Sequence, residues 1–309
     1  MRAIWADLAV LGVAVVWGAS YPVAKGALLQ APVLLLIFYR FALTAVVMGA
    51  LAAPGLRRAA RGDLAAGAAL GAILSAIFLV ETWGVAMTSA SNTALLISLC
   101  VVLTPFLEFG LRGRLPPRGV LGGAVLAVAG VGVLAGGVSG FGAGDLLVLG
   151  AACLRAVMVV ATKRLMAGRA LGSAALTAVQ GVTVAGVMLV LILGSGQPLT
   201  VQAGPSFWAA VGFLSLFCTI AAFYVQNAAV RHTSPTRVTL LMGTEPLFGV
   251  LLAVALLGEP IGAATLIGAA LILGGTWLGV RSERRAVQRA ESTCLRAGAA
   301  ASKGTSPAA

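Results

Sequence analysis

The sequence predicts an all-α membrane protein of ten transmembrane helices, built as two inverted five-helix repeats (5+5) with both termini on the cytoplasmic side. Three observations predict it. The chain is too apolar for water, with 60% hydrophobic residues, 10% charged residues and a mean hydropathy of +1.04. A soluble domain carries about 25% charged residues. Its apolar runs are cut to bilayer length, and its basic residues fall on alternate loops. The second half also repeats the first.

A helix needs about 20 apolar residues to cross a hydrocarbon core of ~30 Å. Glycine, proline and charge divide the chain into ten such stretches. The first, 7–25, follows Arg2 and could pass for a signal peptide. It runs through Trp17 and Lys25 straight into another apolar run, so it is read as a span. The second, 32–53, stops at Ala53-Pro54-Gly55, and the third, 64–84, starts after Asp63. The fourth, 90–111, is closed by Leu115-Pro116-Pro117, and the fifth covers 119–136. The sixth and seventh, 145–164 and 172–193, end in a stretch from Gly194 to Pro198. The eighth and ninth, 207–228 and 237–257, precede Gly258-Glu259-Pro260, and the tenth covers 261–280. From Arg281 the chain turns polar, so 282–309 reads as a disordered cytoplasmic tail.

The loops check the count. With the N-terminus inside, the cytoplasmic segments hold Arg2, then Arg57, Arg58 and Arg61, then Arg112, Arg114 and Arg118. They continue with Lys163, Arg164 and Arg169, then Arg231 and Arg237, then six in the tail, which makes 18 of the 21 Lys and Arg. Lys25 alone lies at an outer end, and Arg40 and Arg155 lie within spans. A wrong span number would move every later loop to the other side and scramble this pattern. The same bias explains the net charge of +12, so no nucleic-acid partner is implied.

Shifting the second half back by 145 positions aligns about seventy residues without a gap. Thr88-Ser89 falls on Thr233-Ser234, Gly123 on Gly268, Gly130 on Gly275, Phe78 on Phe223 and Glu81 on Gln226. With slightly smaller offsets Lys25 meets Lys163 and Arg40 meets Gln180. The units are 1–137 and 138–281, five spans each. An odd number of spans places the second unit upside down relative to the first, with a substrate site expected near the midplane between them.

The motifs resemble those of the drug/metabolite transporter superfamily, in its ten-helix branch built from two EamA-type repeats. Carrying the resemblance are Trp17-Gly18-Ala19-Ser20, Arg40-Phe41, Thr88-Ser89-Ala90-Ser91-Asn92, His232-Thr233-Ser234-Pro235, Thr244-Glu245-Pro246 and Leu257-Gly258-Glu259. Two positions depart from the pattern: Gly113-Arg114 stands where Gly-Glu is usual, and Arg155 where an apolar or aromatic residue is common. The resemblance implies a secondary exporter of small metabolites in a bacterial inner membrane, nearest in look to exporters of amino acids, aromatic ones included. Export of cationic drugs or other metabolites is the alternative. It implies a small-molecule substrate, the lipid bilayer as surroundings, no cofactor, and a monomer or weak homodimer.

Charge inside a bilayer is costly and marks function first. At the α-helical rise, Arg40, Arg155 and Glu245 lie about 13, 15 and 12 Å deep, close to the midplane. They either line a polar cavity, the arginines meeting a substrate carboxylate and Glu245 an amine, or pair with one another to fix helix register. Glu81 counts out to about 27 Å from Asp63 along span three, near the outer surface, as a gate residue or a snorkelling side chain. Glu108 and Arg112 have the spacing of a surface pair, and His232, the only histidine, sits in a basic turn. Trp17 and Tyr21 share a face of span one with Ser20 beside them, and Tyr224 and Gln226 make span eight polar. The candidate substrate-binding set is therefore Trp17, Ser20, Tyr21, Arg40, Phe78, Glu81, Arg155, Phe223, Tyr224, Gln226 and Glu245. Pro22, Pro105 and Pro246 are candidate hinges. Glycines such as Gly122, Gly123, Gly130 and Gly136 let helices approach closely. No HExxH, GxSxG or Walker sequence occurs, so neither an enzyme nor an ATP-driven pump is indicated, and the four cysteines show no metal or disulfide spacing.

Overall fold

A computed structural model of the chain describes residues 3–88, 90–134, 141–257 and 262–303. Among them there is no strand, and ten helical columns account for nearly all the ordered chain. Span one is Ala3–Gly18 continued by Ser20–Leu28, span two Val33–Leu51 and span three Arg61–Met87. Span four is Ala90–Ile97 with Cys100–Gly110, span five Arg118–Leu134, span six Ala143–Leu165 and span seven Ser173–Gly194. Span eight is Pro205–Ser215, a π-helical turn Leu216–Ala221, then Ala222–His232. Span nine is Pro235–Met242 with Glu245–Leu257, and span ten is Ala263–Lys303. The turn at Gly258-Glu259-Pro260, with Ser89 and Gly136, lies outside the described residues.

Two of the three prolines named as hinges lie beside helix breaks. Span one breaks at Ala19, and span nine at Gly243-Thr244. Each break falls where a proline, Pro22 or Pro246, removes the amide that the carbonyl four residues earlier would have used. Pro105, however, sits inside the unbroken helix Cys100–Gly110. Span four breaks instead at Ser98-Leu99, where Ser98 Oγ donates to the Leu95 carbonyl at 2.6 Å and the backbone tightens to three-residue bonds. Ser98 and Gly243 are 145 positions apart, so both repeats interrupt the same span at the same place.

The repeat is visible in polar contacts as well as in sequence. At the N-terminal end of span one, Asp7 accepts from Arg237 Nε at 2.7 Å, tying it to the start of span nine. At the start of span six, Asp145 accepts from Thr88 Oγ1 at 2.7 Å and Asn92 Nδ2 at 3.0 Å, tying it to span four. Asp7 and Asp145 are repeat mates, as are Asn92 and Arg237. Lys25 donates to the Thr88 carbonyl at 2.9 Å, and its mate Lys163 to the Arg231 carbonyl at 2.8 Å. Each lysine closes the C-terminal end of a span where carbonyls lack helical partners. These matched ties sit at opposite ends of the molecule, as inverted repeats require.

Spans five and ten pack backbone to backbone. A side chain at Gly123 would come within 2.5 Å of the Gly275 carbonyl oxygen and the Gly279 nitrogen, and one at Gly130 within 2.7 Å of the Gly268 oxygen. Span ten does not end at Arg281 as the polarity suggested. Its helix runs on to Lys303, into the segment read as a disordered tail, because Ala, Arg, Glu and Gln are strong helix formers and no proline interrupts them before Lys303. The first turn of that extension is anchored, with Ser234 Oγ donating to Glu283 at 2.7 Å and Arg284 paired to Asp7 at 3.0 Å.

Orientation follows from the loop charges. Reporters fused after Arg61, Arg118, Arg169, Arg237 and Arg285 are expected to read cytoplasmic. Those near Gly140, which lies outside the described residues, and near Gly196 should read the opposite side. One clear inversion in mid-chain would defeat the five-plus-five arrangement.

Candidate functional site

Spans one, two, three, four, six, eight and nine converge on a cavity of about 840 Å³, its opening included. The lining is built largely of repeat mates: Trp17 with Arg155, Ser20 with Met158, Phe78 with Phe223, Glu81 with Gln226, and Cys100 with Glu245. The cavity therefore lies on the pseudo-twofold axis, beside the paired breaks in spans four and nine. Sequence divergence has sorted its chemistry. Glu81, Arg155 and Glu245 carry charge, while their mates Gln226, Trp17 and Cys100 carry none.

Arg155 is held firmly. Its Nε and Nη2 donate to Glu81 Oε2 and Oε1 at 3.0 and 2.7 Å, a two-pronged pair with both groups largely withdrawn from the surface. Glu245 Oε2 stands 3.9 Å from Arg155 Nη1, outside hydrogen-bond range, and the guanidinium lies 5.1 Å over the Trp17 ring. Such parallel pairing gives geometry as well as energy. Glu81 is thus not a side chain snorkelling to water. It is 7% exposed and serves as the principal partner of an intramembrane arginine.

Arg40 is placed differently. Its Nε donates to Thr219 Oγ1 at 2.6 Å and its Nη2 to the Cys218 carbonyl at 3.3 Å, and it stacks 4.6 Å over Phe78. Among the described residues it makes no ion pair. Its repeat mate Gln180 is buried away from the cavity, accepting from Asn227 at 2.9 Å. Around Arg40 runs an aromatic wall: Phe41 to Phe78 at 4.7 Å, Phe78 to Phe223 at 6.1 Å, and Phe223 to Trp17 at 5.6 Å between ring centres. Trp17 is itself fixed by its indole N–H on the Cys218 carbonyl at 2.8 Å.

Gln226 Oε1 is buried here with no hydrogen-bond partner among the described residues, and the buried Glu245 carboxylate and Tyr21 hydroxyl face each other. A buried polar group left unpaired is costly and calls for an explanation. Glu245 and Gln226 line the cavity, and Tyr21 is among the ionisable groups around Glu245, with Arg155 and Glu81.

Nine of the eleven residues expected from sequence line this cavity. Tyr21 is buried just behind it, beside Glu245. Tyr224 is a correction: it is 46% exposed on the outside of span eight, because consecutive helical residues point about 100° apart and Phe223 takes the inward direction. Glu108 is corrected in part: it pairs with Arg112 at 3.4 Å as the spacing suggested, but only Arg112 is exposed, while Glu108 is buried and accepts from the Thr236 amide at 2.8 Å and hydroxyl at 2.6 Å. Cys100, Ser98, Met158 and Thr239 also line the cavity and were missed. Applying the repeat offset to Glu245 and Ser20 would have found Cys100 and Met158.

Residues 4–136 and 142–281 each match the EamA-like transporter family. A protein of Streptantibioticus cattleyicolor, named as a probable terminal-alkyne amino-acid exporter, is 28% identical over 281 residues, covering 90% of this chain and 93% of its own length. A solved crystal structure superposes with a TM-score of 0.75 at 21% identity, over 91% of this chain and 98% of the other, which speaks to the fold alone.

Proposed function

The chain belongs to the EamA-like transporter family, and from that premise we propose that it exports small zwitterionic metabolites, amino acids foremost, across a bacterial inner membrane by alternating access. The observation that carries this reading is the cavity's unequal arginines. Arg155 is neutralised by Glu81, whereas Arg40 lines the same cavity and makes no ion pair among the described residues. A substrate carboxylate would complete Arg40. The Glu245 carboxylate and the unpartnered Gln226 oxygen are suited to an ammonium group, and Phe78, Phe223 and Trp17 offer a wall for an apolar side chain. The amino-acid exporter named above supports this class of substrate.

A lipophilic cation fits less well, because Arg40 repels it where the dielectric is low. The two readings separate in one experiment. Purified protein in liposomes is expected to move neutral amino acids, including aromatic or large apolar ones. Flux of quaternary ammonium dyes with none of any amino acid would transfer the assignment to drug export. The double variant Phe78→Ala with Phe223→Ala is expected to change the ranking among amino acids more than it changes expression. An unaltered ranking would remove the aromatic wall from the site.

A further inference from the structure

Span eight carries a π-helical turn, Leu216–Ala221, and the corresponding stretch of span three, 71–76, is ordinary α-helix. A π turn inserts a residue, weakens the local hydrogen-bond ladder, and is found mostly where it serves a site. Here the turn organises one side chain. Thr219 Oγ1 donates to the Leu214 carbonyl five residues back at 2.9 Å and accepts from Arg40 Nε at 2.6 Å. The Cys218 carbonyl takes Arg40 Nη2 and the Trp17 indole, and Ser215 Oγ donates to the Arg40 backbone carbonyl at 3.0 Å. Thr219 is buried and does not line the cavity, so it acts through Arg40.

We infer that the π turn of span eight, through the Thr219 hydroxyl, is the positioning element that aims Arg40 at the substrate carboxylate. This rests on the reading of Arg40 given above. A guanidinium has five N–H donors in a fixed plane. Span eight engages two of them, through Nε and Nη2, which fixes the plane and leaves Nη1 and the second Nη2 hydrogen for a carboxylate. Without that tether the flexible side chain would have to be ordered by each substrate anew, and affinity would fall. Because the Cys218 carbonyl also holds Trp17, one helical defect sets the carboxylate end of the site and the aromatic wall together.

The test is the concentration dependence of neutral amino-acid flux in liposomes for the wild type, Thr219→Val and Thr219→Ser, with thermal stability measured on each. Valine keeps the shape and removes the hydroxyl, and serine keeps the hydroxyl. Loss of one hydrogen bond to a charged group predicts a KM raised about tenfold for Thr219→Val, with the maximal rate within about twofold and serine near wild type. An unchanged KM in Thr219→Val would overturn the proposal. So would equal loss in the serine variant, or a maximal rate and melting temperature that fall together while KM stays put. A wild-type protein that moves no amino acid at all would overturn the reading of the cavity, and this assignment with it.

Discussion

Replacing Arg155 by glutamine is expected to destabilise the protein by about 3–5 kcal/mol, the usual cost of breaking a buried ion pair by removing one partner. The reason lies in what is left behind. Glu81 would lose both prongs of its pair, and Glu245 would lose the only cation within 4 Å among the described residues. Two carboxylates would then share a low-dielectric cavity with no ion-pair partner among the described residues. Yield and melting temperature in detergent should fall together, and flux with them. The double variant Glu81→Gln with Arg155→Gln removes both charges and should regain much of the stability without regaining transport. A melting temperature for Arg155→Gln equal to wild type would show that the pair does not hold spans three and six in register.

Replacing Glu245 by glutamine is expected to have the opposite profile. Arg155 keeps its two-pronged partner Glu81, so melting should change little. Glu245 lines the cavity with a carboxylate that is not hydrogen-bonded to Arg155, and glutamine removes the charge an ammonium group would meet. Losing a charge-assisted contact predicts flux of a neutral amino acid reduced about 10- to 100-fold at low substrate concentration. A stable Glu245→Gln protein with full transport would remove Glu245 from the site. A collapse in stability as large as that of Arg155→Gln would assign it to the structural network instead.

The contrast between these two glutamates was not legible in the chain. Glu81 was counted outward from Asp63 as if span three stood straight across the bilayer. At 27 residues that helix is about 40 Å long at the α-helical rise, more than the hydrocarbon core, so a count along it does not fix depth. Packing brings Glu81 to Arg155, 74 positions away. Tyr224 failed for a related reason. Its facing depends on helix rotation, which the π turn just before it resets by one residue. Glu108 looked like half of a surface pair because Arg112 is its neighbour in sequence, yet its buried oxygen serves Thr236, 128 positions away.

What the sequence by itself determined is everything that depends on position along the chain. It yielded the spans from apolar length, the inside loops from basic charge, the repeat from register, and the few polar residues near the midplane. The bilayer imposes those one-dimensional rules directly. Only the tertiary structure decided which arginine is ion-paired and which, among the described residues, is not, because Arg40 and Arg155 look alike in sequence and differ only in their neighbours. Those neighbours come from other helices, and their approach is set by packing, rotation and the π turn of span eight, none of which is written in hydropathy.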